Sequence, residues 1–381
     1  MSITHIPETV KIRLWGKAAG CCQYRGCQQP LYLDSLTKAE FNTAYIAHII
    51  ADSPGGPRGD PILSEQLKDN ISNLMLMCDV HHRLIDKQDV FGHPVNFLRQ
   101  MKKEYEEKIG ILSSIKEEFR SHVLTYGANI GNHAAMVSIE KTYPAITPHW
   151  YPAEKFPIEL SLKNSWFVDS EPQYWFIERE NLRRQFSTTL KPRLISGEIK
   201  HLSVFAFAPQ PLLIELGHLL SDIPTAKIYQ LHREPPNWVW QKNADDFHFE
   251  IIEPMQTFPV VALNLSLSAN IDDSRIQSVL GPDVSIWTVK TPQPNNDFLK
   301  TEKQLQLFRE QFRLLLDRIK HKHGQSTVLH VFPAVPVAIA VEIGRVRMPK
   351  SDLPLKIYDQ SNAQGGFIKA FEISVSGDHH V

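Results

Sequence analysis

The chain has 381 residues and a formal net charge of −1, from 41 basic and 42 acidic side chains. Apolar residues make up 42 % and charged residues 22 %, values that exclude a disordered, collagenous or coiled-coil chain. The length predicts two or three domains. The neutral balance gives no sign of a strongly basic nucleic-acid binder.

No apolar run is long enough for a transmembrane helix. The first residues, MSITHIPETVKIRLWGK, lack an apolar segment followed by a small-residue cleavage site. The expectation is a cytoplasmic protein without membrane association.

Cysteine placement is the first lead. All four cysteines lie in the first 80 residues: Cys21, Cys22 and Cys27 close together, then Cys78. Cys22 and Cys27 enclose four residues, and Cys78 and His81 enclose two. Two such pairs about fifty residues apart fit a closed Cys3His site, and thiolate-rich tetrahedral sites select zinc. Cys22 is preferred to Cys21 because Cys-x4-Cys lies within the usual knuckle spacing, with a shift by one residue left open. The segment SPGGPRGD (residues 53–60) reads as a loop. A helix is expected over Val95–Ile115, where Phe97, Leu98, Met101, Tyr105, Ile109 and Leu112 recur at three- and four-residue steps.

Residues 121–156 are rich in Gly, Pro and Asn and read as a connector. Beyond them, β-rich runs at His201–Ala208, Ala226–His232, Val260–Leu267, Val284–Lys290, Val328–Phe332 and Leu355–Tyr358 alternate with helical runs at Pro211–Leu220, Ser274–Leu280 and Thr301–His321. That alternation predicts an α/β layered domain with a largely parallel sheet. HLSVFAFAPQPLLIELG (201–217) aligns without gaps on VLHVFPAVPVAIAVEIG (328–344), sharing Phe205/Phe332, Pro209/Pro336, Glu215/Glu342 and Gly217/Gly344. Each block runs on to Lys-Ile-Tyr, at 227–229 and 356–358. Two copies of one strand–turn–helix–strand unit explain the match.

The order His48, Asn73, His82, interleaved with the cysteine pairs, resembles the HNH endonucleases. The matching pieces are CQYRGCQQPL, TAYIAHIIADSPGGPRGD, NLMLMCDVHHRLID and the FLRQMKKEYEE helix. The resemblance implies an α+β ββα-metal domain over residues 1–118. It implies that His48 is the general base and that His82, with Asn73, holds a catalytic Mg2+ or other divalent ion. Asn73 either holds the loop bearing His48 or adds an oxygen ligand. The structural Zn2+ would lie on Cys22, Cys27, Cys78 and His81. One departure stands out: many HNH enzymes carry Asp or His before the base, and this chain has Ala47. Asp60 is a candidate outside contributor. Arg58 is a candidate phosphate clamp or a surface arginine.

The remaining segments HLSVFAFAPQPLLIELGHLL, KIYQLHREPPNWVW and LHVFPAVPVAIAVEIGR resemble SAVED domains, sensors fused to effectors in cyclic-oligonucleotide antiphage signalling (CBASS). The implied plan is a connector over 119–145 and a SAVED domain over 146–381. That domain would have two Rossmann-like halves, at about 146–295 and 296–381. In open α/β sheets ligands sit beyond the carboxyl ends of the strands. Those ends and the PPNWVW run make Gln210, Gln230, His232, Arg233, Trp238, Phe332, Pro333 and Tyr358 candidates for nucleotide contact.

Taken together, the resemblances imply an HNH–SAVED effector. A cyclic dinucleotide such as a cyclic GMP–AMP isomer would activate sequence-relaxed cleavage of double-stranded DNA. Activation would pass through a homo-oligomer, a dimer or higher. The alternative is a restriction-type enzyme whose C-terminal domain reads DNA directly. A third reading is a zinc-knuckle binding module with a degenerate active site.

Overall fold

In the computed structural model the described residues are 4–133, 135–162, 165–171, 173–221, 225–242, 248–349, 351–361 and 363–374. The chain divides into two compact units, Met1–Lys116 and Glu117–Val381.

The first unit opens with α1 (Glu8–Lys17) and a turn-rich stretch carrying Cys22 and Cys27. β1 (Tyr45–His48) follows, then the short α2 (Leu63–Leu67). β2 (Leu74–Met77) pairs antiparallel with β1, His48 opposite Leu74 and Tyr45 opposite Met77. α3 (Asp79–Arg83) runs into a π-helical turn at Leu84–Gln88. α4 (Val95–Ser113) closes the unit and buries Leu98 and Met101, the face that its periodicity predicts. Leu14, Leu31, Ile49, the whole of β2 and Ile85 complete the core.

The second unit holds two sheets. In the first, β3 (Arg120–Gly127) pairs parallel with β4 (Tyr151–Pro152), β5 (Ile158–Glu159) and β6 (His201–Phe207). β7 (Thr225–Ile228) pairs parallel with β6. α5 (Ile139–Ile146), α6 (Tyr174–Gln185), α7 (Lys191–Ile195) and α8 (Gln210–Leu220) belong to this half. In the second sheet the strand order is β13-β12-β11-β9-β10-β8. β9 (Val260–Ser266), β10 (Val284–Lys290), β11 (Leu329–Ala334) and β12 (Leu355–Ser361) run parallel. Antiparallel β8 (Glu250–Ile252) and β13 (Gly366–Ile373) form its edges. Its helices are α9 (Asp273–Leu280), α10 (Glu302–His323) and α11 (Val337–Val346).

Two expectations are corrected. Residues 119–145 are no mere connector, because β3 lies within them and is bordered by β4, β5 and β6. Its sequence RSHVLTYG is buried from Ser121 to Gly127, which its glycine- and asparagine-rich continuation conceals. The halves do not divide at 295. β8, β9 and β10 belong to the second sheet, so the division falls between β7 and β8. The repeat itself is plain: β6–α8–β7 and β11–α11–β12 are equivalent units, and α8 packs on α11.

Candidate functional site

The two units each carry a candidate site. In the first, Cys22, Cys27, Cys78 and His81 bring their donor atoms within 4.8 Å of one another. His81 Nδ1 is 3.1 Å from Cys78 Sγ and 3.8 Å from Cys22 Sγ. Gln23 ties the cysteine turn to β2: its backbone N–H donates to Leu76 O, and its side-chain Oε1 accepts from Leu76 N. The His81 ring stacks on Tyr24 at 4.1 Å. A carbonyl only accepts, so His93 Nδ1 donates to Asp89 O at 2.7 Å, leaving Nε2 to accept from Tyr24 at 3.0 Å. Burial pushes the Cys22 thiol up to about 12. A metal-free thiolate there is disfavoured, whereas three sulfurs and one imidazole nitrogen at these distances fit a four-coordinate soft ion. Cys21 lies outside the group; its thiol contacts Ala19 O at 3.4 Å.

His48 ends β1 and is 7 % exposed. Its Nε2 is 2.7 Å from Lys68 O. The carbonyl requires the proton on Nε2, so Nδ1 keeps the lone pair. Ala47, one residue earlier on the alternating strand, points into the core at 1 % exposure. A carboxylate at that position would be buried among apolar side chains.

Asn73 is 1 % exposed, and its amide is committed to the loop after β1. Oδ1 accepts from Ile50 N at 2.8 Å, while Nδ2 donates to Ile50 O at 2.8 Å and Leu67 O at 3.2 Å. Of its two expected roles, this geometry is that of loop support; it is not that of a ligand to a catalytic ion. Arg58 is no phosphate clamp. Its side chain is buried and donates to Ile49 O, Ile85 O and His48 O, and to Asp86 Oδ1 at 2.5 Å. Asp60 instead accepts from the Ile62 and Leu63 amides ahead of α2.

His82 lies on α3 with its ring stacked on Tyr45 at 5.0 Å. Its Nε2 is 3.2 Å from Asp86 Oδ2. Burial pushes the Asp86 carboxyl up, but His82 and Arg58 outweigh it and hold it below the usual carboxylate range. Arg58 and Asp86 therefore link the backbone of His48 to the ring of His82. The sequence singled out both histidines but missed Asp86, which follows His82 by one helical turn.

In the second unit a cavity of about 1100 Å3 opens where the carboxyl ends of β6, β7, β11 and β12 meet the N-termini of α8 and α11. Of the eight predicted contacts, Gln210, Gln230, His232 and Arg233 line it. The two glutamines bridge the halves: Gln210 Oε1 accepts from Val335 N at 3.0 Å, and Gln230 Oε1 accepts from Ala338 N at 3.2 Å. His232 is 1 % exposed, and among the described residues neither ring nitrogen has a hydrogen-bond partner; Asp297 lies 4.0 Å from Nδ1. Arg233 is exposed. Lys141, Asp169 and Asp359 also face the cavity. Burial and the neighbouring Asp169 carboxylate push the Asp359 carboxyl up to about 7.

The other four candidates are structural. Tyr229 stacks on Phe205 at 4.4 Å, with Trp238 edge-on to Phe205. Tyr358 stacks on Phe332 at 4.4 Å, with Phe367 edge-on to Phe332. Trp238, Phe332 and Tyr358 are each at most 5 % exposed, so they hold the strands rather than meet a ligand. Pro333 is buried in β11 past the residues paired with β12, where its missing N–H costs that ladder nothing.

A family model described as "SMODS-associated and fused to various effectors sensor domain", SAVED, matches residues 182–373, half of the chain. The chain belongs to the SAVED family.

Solved structures with likeness include the Acinetobacter baumannii Cap4 SAVED/CARF-domain containing receptor with the cyclic trinucleotide 2'3'3'-cAAA. The TM-score is 0.44 and identity 15 %, covering 82 % of this chain and 60 % of that one. The Moraxella osloensis Cap4 receptor gives a TM-score of 0.39 at 13 % identity, covering 74 % of this chain and 60 % of its own. This chain thus spans 60 % of the length of these two receptors. No curated protein matches. The SAVED assignment makes the second unit a sensor domain. Among the described residues, no helix is long and apolar enough to cross a membrane.

Proposed function

We propose that the chain is a nucleotide-gated DNA endonuclease of the HNH–SAVED type, acting in antiphage defence. The SAVED cleft takes a cyclic dinucleotide, and the first unit hydrolyses double-stranded DNA without sequence preference. Gating acts through self-association. The observation that carries the nuclease reading is the His48 hydrogen bond to Lys68 O. It fixes the tautomer that leaves a basic Nδ1 at the end of a ββα element.

In the reaction, Nδ1 of His48 removes a proton from a water molecule aligned with the scissile phosphate. The hydroxide attacks phosphorus, the bond to the 3′ oxygen breaks, and that oxygen takes up a proton from water. Asn73 holds the loop after His48, and Arg58 ties the His48 carbonyl to Asp86. His82 would hold a divalent ion, which would supply positive charge to the phosphate and the leaving oxygen. Cys22, Cys27, Cys78 and His81 would hold a structural zinc ion, which would fix the turn next to β2 and the start of α3.

His48→Ala tests the nuclease reading. With the activating nucleotide and Mg2+ present, the expected loss in cleavage is about 10²–10⁴-fold, the usual share of a general base. Cleavage at the wild-type rate by a folded His48→Ala protein would remove this reading.

A further inference from the structure

The two oxygen-bearing side chains that the sequence offers for a catalytic ion, Asn73 and Asp60, are both spent on backbone groups. Asn73 has its amide tied to Ile50 and Leu67. Asp60 accepts the Ile62 and Leu63 amides. The position before the base is Ala47, buried in the core. His82 is thus left without the expected partners, and Asp86 faces it.

We propose that Asp86 is the carboxylate ligand that joins His82 in binding the catalytic divalent ion. The inference rests on the nuclease reading above.

The geometry is that of two adjacent ligands on one ion. Hard divalent ions of the magnesium class prefer octahedral oxygen and nitrogen donors at about 2.1 Å, which places neighbouring donors about 3.0 Å apart. Asp86 Oδ2 and His82 Nε2 are 3.2 Å apart. The other carboxylate oxygen is engaged by Arg58 Nη2. The guanidinium therefore fixes the plane of the carboxylate and turns Oδ2 to His82 Nε2, a direct contact that an ion held between the two donors would take over. Arg58 is itself anchored to three backbone carbonyls, so this orientation is preset. His82 and Asp86 are 27 % and 22 % exposed, open enough for the remaining positions to be filled by water and the DNA phosphate. The π-helical turn at Leu84–Gln88 carries Asp86 directly after α3. The pair thus replaces the ligand that other HNH sequences place before the base.

The test is Mn2+ binding to the full chain, read by electron paramagnetic resonance of free Mn2+ without DNA. Wild type should bind one Mn2+ at this site. His82→Ala and Asp86→Asn should each weaken it about 100-fold, and His48→Ala should leave it unchanged. Asp86→Asn keeps the oxygen that Arg58 needs, and its melting temperature without added Mn2+ should match wild type. Asp86→Glu retains the carboxylate and should bind more tightly than Asp86→Asn, which covers the case of a poorly folded amide variant. Wild-type affinity in a folded Asp86→Asn, in a protein that still cuts DNA, would overturn the ligand assignment and leave the nuclease reading standing. Absence of both Mn2+ binding and cleavage in wild type would overturn both.

Discussion

Gly217 on α8 lies against Gly344 on α11, each at the same place in its copy of the repeat. A Cβ on Gly217 would sit 1.9 Å from Val341 O, and one on Gly344 would sit 2.0 Å from Ile214 O. The two helices cross backbone to backbone, which only glycine permits. The neighbouring pair repeats the pattern with charge: Glu215 meets Arg179 and Arg183, and Glu342 meets Arg309 and Arg345.

Gly217→Ala and Gly344→Ala should each destabilise the SAVED unit by about 3 kcal/mol, since the clash is with backbone and the helices must part. Gly110→Ala, in exposed α4 with open space around it, should stabilise by about 0.5–1 kcal/mol. Urea unfolding gives both signs; equal effects at the three positions would contradict the crossing.

The cysteine cluster predicts one zinc ion per chain by elemental analysis. Cys22→Ser and Cys78→Ser should lose the ion and the folded first unit, because metal binding and folding are coupled. Cys21→Ser should keep both. Zinc loss in Cys21→Ser alone would move the site by one residue.

The cleft separates contact residues from core residues. Arg233→Ala and His232→Ala should weaken cyclic dinucleotide binding about tenfold or more, with unchanged melting temperature for Arg233→Ala. Trp238→Ala and Tyr358→Ala should instead lower stability by about 3–5 kcal/mol. Calorimetric titration and thermal melting read the two effects; a stable Tyr358→Ala with lost binding would reverse the assignment.

Burial lowers His201, His218 and His330 to about 4, against about 6.5 in an unfolded chain. Between those values the unfolded state binds protons that the native state does not, so stability is full above pH 6.5 and falls as pH drops toward 4. Asp359, raised to about 7, works the other way: its contribution falls as pH rises toward 7. Three histidines outweigh one carboxyl, so the melting temperature should be lower at pH 5 than at pH 7. An equal or higher value at pH 5 would contradict this.

The repeat, the main parallel strands and their helices are legible in the sequence because buried strands are continuous apolar runs and because Pro and Gly recur at fixed offsets. β3 is hidden by its glycine-rich continuation, and β8 has only three residues. The aromatics expected to meet the ligand, Trp238, Phe332 and Tyr358, misled for a physical reason. An aromatic after a strand reads alike whether it stacks on a base or on Phe205, and only packing separates the two. Cysteine spacing gives the Cys22, Cys27, Cys78 and His81 cluster directly, and the fold leaves Cys21 outside it. Asp86 is invisible without the π-helical turn that turns it to His82.

Nucleotide gating of DNA cleavage links the two units of the chain in the proposed function. Its direct test is plasmid degradation by the purified full chain with Mg2+, across a panel of cyclic di- and trinucleotides. Plasmid should stay intact without nucleotide and be extensively degraded with one cyclic dinucleotide. Equal degradation with and without every nucleotide would contradict it.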